Sequence, residues 1–337
     1  MSGTVHLPLS ELEAIISAAL VASNTSGDNA AIVARALAAA ELDGQKGHGL
    51  SRVPSYAAQS KSGKVDGHAK PTLKRTRPGT LLVDVANGFV YPAIDMALGQ
   101  LTEVARSNGI AAAGFTRSHH FGVVGHHVER LAEAGLVALA FGNGPEAMAS
   151  WGGRRAIFGT NPIAFAAPLR GRPPVVVDMA LSQVARGKIL TAAQKGEPIP
   201  EGWAVDADGK PTTDAKAAMA GTLTPLGGAK GSALAFMVEV LGAALMGSNF
   251  GFEASSFFTG DGPPPCVGQL IVAIDAEGFA GSGTFADRMA VLAEAIEGDP
   301  GARLPGMKRL SMRAKAKADG IGVEAALLEQ VRKIAAA

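Results

Sequence analysis

The chain has 337 residues, and its 31 Lys plus Arg against 30 Asp plus Glu leave a formal charge of +1. That balance lacks the electrostatic footprint of a nucleic-acid binder, and 47% hydrophobic with 18% charged residues excludes a largely disordered chain. A single cysteine, Cys266, excludes an intrachain disulfide framework and suits a reducing compartment, so a cytoplasmic protein is expected.

The opening MSGTVHLPLSELEAIISAAL has neither a basic lead nor an unbroken apolar core, so no secretory signal is read there. Leu12, Ile15, Ile16 and Leu20 stand at helical spacing, and Ser10 with Glu13 forms a candidate capping box. A second, alanine-rich helix is expected over 28–42, stopped at Gly44. The glycine-dense DGQKGHGLSRVPSY follows at 43–56, then a short amphipathic stretch as far as Gly63 and Gly67. Strand and helix signals then alternate: strands at 80–85, 110–116, 136–143, 162–167 and 174–179, with helices at 92–107 and 126–135. Residues 196–226 read as a long loop. An apolar, buried helix is expected over 231–246; it falls short of a membrane span because Glu239 breaks it. A strand and turn at 268–279 and helices at 285–296 and 321–334 complete the chain. The composition and order point to a globular α/β protein.

Ordinary nucleotide motifs fail. No strand leads into a clean G-x-G-x-x-G, and GGAKG at 227–231 has the wrong spacing for a P-loop. Four histidines crowd SHHFGVVGHH: His119, His120, His126 and His127. They lack the spacing of a metal site, so no metal is expected; they suit turn histidines or a loop over a ligand. His48 and Arg52 stand four apart. Histidine exchanges protons near neutral pH, and arginine holds a carboxylate through two parallel hydrogen bonds, a pairing suited to a small carboxylic acid. An ordinary polar turn has the same spacing. Thr160 and Asn161 offer compact hydrogen-bonding groups before an apolar strand, and Arg186 with Lys188 could meet a phosphate or form a solvated basic turn.

Taken in order, GHGLSR at 47–52, SHHFG at 118–122, FGTNPIAF at 158–165, DMA at 178–180, LGGAKGSALAFMVEVL at 226–241 and RLPG at 303–306 resemble the malate/L-lactate dehydrogenase family that lacks a Rossmann domain. Within it, SHHF, the run at 227–253 and GQLIVAID at 268–275 look most like the Δ1-piperideine-2-carboxylate/Δ1-pyrroline-2-carboxylate reductases. The resemblance implies an α/β fold with a largely antiparallel central sheet and a helical N-terminal domain. It divides the chain into a helical domain at 1–75 joined by helices from 305–337, a substrate and dimer sheet domain at 76–120 with 231–304, and a cofactor domain at 121–230. It also implies a homodimer, no nucleic-acid or membrane partner, and NADPH as cofactor with NADH possible.

Carried over by position, the resemblance makes His48 the proton donor and Arg52 the carboxylate ligand, with Thr160 at a ligand position. His120, Phe121, Gly122, Val123 and Val124 match one cofactor loop, and Asp178, Met179 and Ala180 a second. Lys230, Arg303, Leu304, Pro305 and Gly306 match later cofactor contacts, with Arg186 and Lys188 as phosphate candidates. Relatives often carry serine where this chain has Gly47, so no hydroxyl there orients His48. The activity implied is NADPH-dependent reduction of cyclic imine carboxylates to L-pipecolate and L-proline. The alternative is a 2-hydroxy acid dehydrogenase acting on malate, L-lactate, sulfolactate or ureidoglycolate, and a non-catalytic nucleotide-binding protein is a third class.

Overall fold

The computed structural model describes residues 3–337. Its N-terminal layer is helical. Helices α1 (Leu9–Val21) and α2 (Gly27–Leu42) bury Leu12, Ile16, Ala19 and Leu20 against an alanine-lined stripe containing Val33 and Leu37. Alanine at Ala30, Ala34 and Ala38 keeps that stripe thin, and so lets two helices approach closely. Helix α2 is capped by Ser26, whose hydroxyl accepts from the Asn29 amide. The expected Ser10–Glu13 capping box does not form. Helix α1 already begins at Leu9, with Pro8 as its extended N-cap residue, so Ser10 lies inside the helix.

The two chain ends meet on this layer. Strand β1 (Thr4–Leu7) pairs antiparallel with β14 (Ile321–Glu324), and α11 (Ala325–Ala335) packs Leu328 and Val331 into the same core. The single helix expected over 321–334 is therefore a strand followed by a helix. Its first four residues are recruited by a strand more than 300 positions away, which local periodicity does not register. Helices α3 (Val53–Ser62) and α10 (Met307–Asp319) complete the layer.

The central sheet has seven strands in the order β2 (Thr72–Arg77), β3 (Thr80–Asp84), β4 (Ile110–Ser118), β13 (Val267–Ile274), β5 (Val137–Gly142), β8 (Ile163–Leu169) and β9 (Arg172–Met179). Only β3 and β4 run parallel, joined by the crossover helix α4 (Val90–Asn108); every other neighbour pair is antiparallel. This matches the expected non-Rossmann architecture. Alternation in β4 points Ala111, Ala113 and Phe115 into the main core, where Ile94, Ala97 and Leu101 of α4 meet them. Helices α5 (Val124–Glu133) and α9 (Ser282–Glu297) flank the β8–β9 end.

A smaller sheet orders β11 (Pro211–Thr212), β10 (Ala204–Val205), β12 (Thr222–Leu223), β6 (Met148–Ala149) and β7 (Ala156–Phe158). It is accompanied by α6 (Arg186–Lys195) and α7 (Ala215–Ala220), the latter capped by Asp214. Much of the expected loop at 196–226 is thus ordered into two-residue strands and one short helix. Such strands are too short to display alternation.

Helix α8 (Ala229–Val238) continues through a π-turn (Glu239–Ala243) into a 3₁₀ turn ending at Met246. By length and composition these 18 residues could cross a membrane, contrary to the expectation that Glu239 cuts the tract short. Glu239 is instead absorbed by the fold: its two carboxylate oxygens accept from Asn161 Nδ2 at 3.0 Å and Asn143 Nδ2 at 3.1 Å. The expected burial holds for one face only. Gly231, Ser232, Ala235 and Val238 pack inward while Leu234, Phe236 and Met237 face out.

Candidate active site

The His48–Arg52 segment is two 3₁₀ turns, Lys46–His48 and Leu50–Arg52, hinged at Gly49. Glu41, the penultimate residue of α2, accepts the Leu50 amide at 2.8 Å and fixes this hairpin. Arg52 folds back so that Nε donates to Gly47 O at 2.8 Å. That leaves Nη1 buried with no hydrogen-bond partner among the described residues. The Phe258 ring lies 4.8 Å from the guanidinium carbon, a cation–π distance.

The imidazoles of His48 and His120 stack at 5.5 Å, tilted by 14°. Burial and the neighbouring Arg52 charge push His48 down to about 4, so its ring is neutral at pH 7 when nothing is bound. His120 Nδ1 lies 2.7 Å from the Tyr56 hydroxyl, which is 3.2 Å from the Tyr91 hydroxyl. Burial raises both phenols, Tyr91 to about 12, so both keep their protons. A chain of donors therefore runs Tyr91, Tyr56, His120, with the Tyr56 hydroxyl free to donate to Nδ1. Sequence reasoning missed Tyr56 and Gln59. Their signal is their spacing from Arg52 on α3: four and seven residues on, one helical face.

Each remaining histidine of SHHFGVVGHH has its own partner. His119 Nε2 meets Gln59 Oε1 at 3.0 Å, His126 Nε2 meets Asp43 Oδ2 at 2.8 Å, and His127 Nε2 meets Phe121 O at 2.9 Å. Among the described residues no group of three His, Cys, Asp or Glu is arranged to hold a metal.

The expected cofactor segments converge on the end of β9. Residues 120–124 link β4 to α5; Phe121 stacks on His127 at 4.9 Å, and Val123 and Val124 open the helix. Gly122 has φ +67, and a Cβ there would stand 2.5 Å from the Tyr91 hydroxyl, so only glycine fits. Asp178 Oδ2 accepts the Gly125 amide at 2.8 Å, tying the loop to the Asp178–Met179–Ala180 segment. Burial pushes the Asp178 carboxyl up. Gly306, with φ +87, sits against Val176 of the same strand, and Leu304 is buried with Val175 and Ala293. Arg303 and Pro305 are exposed beside them.

The other candidates lie elsewhere. Arg186 donates to Met219 O at 3.3 Å, and Lys188 rests 5.9 Å over the Trp203 ring, both on α6 beside the small sheet. Lys230 is exposed on α8. Thr160 is held through its carbonyl, which accepts the Leu181 amide; among the described residues its hydroxyl has no hydrogen bond to His48 or Arg52. Lys188, Lys230 and Arg303 are exposed, while Arg186 is half-buried.

A buried ionic cluster, also unforeseen, clamps these parts together. Arg309 and Arg313 of α10 each contact both Asp43, the C-cap of α2, and Glu129 of α5. The arginines hold both carboxyls below their ordinary range. Asp43, Glu129 and Arg313 of the cluster, with Tyr91 and His126, border a cleft of about 530 Å³ between the helical layer and α5.

The fold is α/β without a Rossmann unit, and the site sets a pair of stacked imidazoles near a buried guanidinium. The chain belongs to the malate/L-lactate dehydrogenase family, whose model matches residues 7–332. It is 46% identical to a (2R)-3-sulfolactate dehydrogenase (NADP(+)) of Chromohalobacter salexigens, over 98% of both chains. It is 41% identical to a Δ1-pyrroline-2-carboxylate/Δ1-piperideine-2-carboxylate reductase of Pseudomonas putida, over 99% of this chain and 98% of that one. The crystal structure of Δ1-piperideine-2-carboxylate reductase from Pseudomonas syringae superposes with a TM-score of 0.92 at 39% identity, covering 98% of this chain and 100% of that one.

Proposed function

We propose that the protein reduces cyclic imines bearing a carboxylate beside the C=N bond, of the Δ1-piperideine-2-carboxylate and Δ1-pyrroline-2-carboxylate type, to the corresponding L-amino acids. The observation that carries this reading is Arg52 Nη1, buried and without a hydrogen-bond partner among the described residues, on a guanidinium packed against the Phe258 ring. A guanidinium donor left without an acceptor is costly, and a substrate carboxylate satisfies it.

Carboxylate binding has a second effect. It neutralises the Arg52 charge, which after burial is the second cause of the low His48 pKa, so that pKa moves upward. In this reading His48 is the group that delivers a proton to the imine nitrogen as the adjacent carbon receives hydride. NADPH, when bound, supplies that hydride. Residues 120–124, 178–180 and 303–306 hold it, with Arg186, Lys188 and Lys230 as partners for its phosphates and NADH as the weaker alternative. The family motif makes Thr160 a further candidate ligand for the substrate. Gly47 contributes no hydroxyl, so the ring of His48 takes its orientation from stacking on His120.

The sulfolactate dehydrogenase relative favours a second reading, oxidation of a 2-hydroxy acid with His48 as base. Sulfolactate carries two anionic groups. Among the described residues near Arg52, Lys46 is turned to Gly322 O and Glu41, and Lys64 is enclosed by backbone carbonyls. One unpartnered cation suits one carboxylate better than two acids.

The domain division at 1–75 with 305–337, 76–120 with 231–304, and 121–230 belongs to this reading. So does a homodimer, supported by the exposed Leu234, Phe236 and Leu245 along α8 and the turns that follow it. A cytoplasmic location fits the lone thiol of Cys266. The deciding experiment follows NADPH and NADH absorbance with both imines, and NADP+ reduction with (2R)-3-sulfolactate, malate and L-lactate. Higher kcat/KM for an imine with NADPH supports the proposal; higher kcat/KM for sulfolactate replaces it with the second reading.

A further inference from the structure

Lys64 is only 3% exposed, yet among the described residues it has no carboxylate partner. Its ammonium points into a cage of three backbone carbonyls: Ser256 O at 2.7 Å, Thr259 O at 3.1 Å and Asp261 O at 2.7 Å. Three N–H donors meet three acceptors, so the ammonium is fully satisfied. Three converging carbonyl dipoles repel one another unless a cation sits among them. Two further bonds fasten the same segment to α3: Gln59 Nε2 donates to Phe257 O at 2.9 Å and Ser62 Oγ to Gly260 O at 2.8 Å.

What this segment presents is the aromatic wall of the site. The Phe257 ring lies 5.2 Å from the His120 ring and 5.1 Å from the His119 ring, while Phe258 covers Arg52. The segment is otherwise an irregular turn containing Gly260, with no ladder to hold it.

We propose that Lys64 is a positioning residue for substrate binding: a tethered cation that locks residues 256–261 so that Phe257 walls His120 and Phe258 covers Arg52. The inference rests on the reading that Arg52 receives the substrate carboxylate. The wall faces the carbon frame of the acid, and so favours an apolar ring over a second charged group.

The test compares wild type with Lys64→Ala, Lys64→Gln and Phe258→Ala, using whichever acid the wild type turns over. Lys64→Ala should raise the substrate KM about tenfold, because two aromatic side chains must then be ordered on binding. The KM for NADPH should stay within about twofold. Methylammonium, but not tetramethylammonium, should restore much of the loss by refilling the carbonyl cage. Phe258→Ala, at an exposed position, should raise the substrate KM without affecting folding. Amide exchange across 256–261 should quicken in Lys64→Ala and slow again with methylammonium. Unchanged KM and exchange in a folded Lys64→Ala protein would overturn the proposal. So would insolubility of both Lys64 variants, since Lys64 would then support the whole fold rather than this segment. If wild type oxidises sulfolactate and leaves the imines untouched, the activity reading falls while the exchange and KM comparison still decides the role of Lys64.

Discussion

Gly49 lies against the carboxylate arm of Glu41: a Cβ on Gly49 would stand 2.6 Å from Glu41 Cγ and 2.7 Å from its Cδ. The glycine is required by its neighbour, since Glu41 is only 5% exposed and has nowhere to retreat while holding the Leu50 amide. Gly49→Ala should displace Glu41, release the hairpin and cost about 1–3 kcal/mol of stability. Gly47→Ala, with open space around its Cα, should leave stability nearly unchanged. Thermal unfolding of the two variants checks the contrast; equal melting temperatures would refute it.

Arg52→Lys keeps the charge and loses the planar fork. Substrate KM should rise by about 10-fold or more while NADPH binding, followed by fluorescence titration, stays the same. Arg52→Ala should be worse. Unchanged kcat/KM in Arg52→Ala would remove the residue from the site.

His48→Ala should cut turnover by about 10²-fold or more while NADPH still binds. Wild-type pH profiles carry a further signature. Because burial and then the Arg52 charge depress His48, and a bound carboxylate removes the second of these, the alkaline fall in kcat should lie at higher pH than the fall in kcat/KM. Near-normal turnover of His48→Ala from pH 5 to 9 would transfer the role to His120 or water.

His127 supplies a stability test independent of catalysis. Burial holds it down to about 3, against the pull of its bond to Phe121 O. Between that value and the ordinary 6.5 the unfolded chain binds a proton that the folded chain refuses. Its contribution is therefore complete above about 6.5 and is lost progressively as the pH falls toward about 3. His127→Gln can keep the hydrogen bond to Phe121 O without titrating. At pH 5 its unfolding should take up about one proton fewer than wild type, measured by calorimetry in buffers of different ionisation enthalpy. Equal uptake would refute a neutral buried His127.

The elements that sequence reasoning located are those whose signal is local. Residues 28–42 and 110–116 declare themselves because one face of a helix, or alternate positions of a strand, must be apolar to reach the core. Strand Ile321–Glu324 was hidden because its partner is Thr4–Leu7, and the short strands from 148 to 223 because two or three residues show no period. The site divides the same way. His48, Arg52 and the 120–124 loop stood in legible motifs. Phe257, Phe258, Lys64, Arg309 and Arg313 did not, since each matters through a side chain brought in from a distant stretch of chain. Nothing in GKVDG at 63–67 announces that its lysine will cap a turn 192 to 197 residues later.

Strand β13 occupies the middle of the seven-stranded sheet, yet β4 and β5, its two neighbours, precede it by more than 120 residues. On the ribosome, then, both neighbours emerge with their inner edges bare and wait for a keystone still unmade. The N-terminal helices wait longer, because β14 and α11, which seal them, follow β13 in the chain. A chain stopped before residue 267 holds two half-sheets with open edges, the geometry that invites edge-to-edge aggregation. The order of synthesis and the order of assembly run in opposite directions here, and the nascent chain keeps open sheet edges until residue 267 has been made.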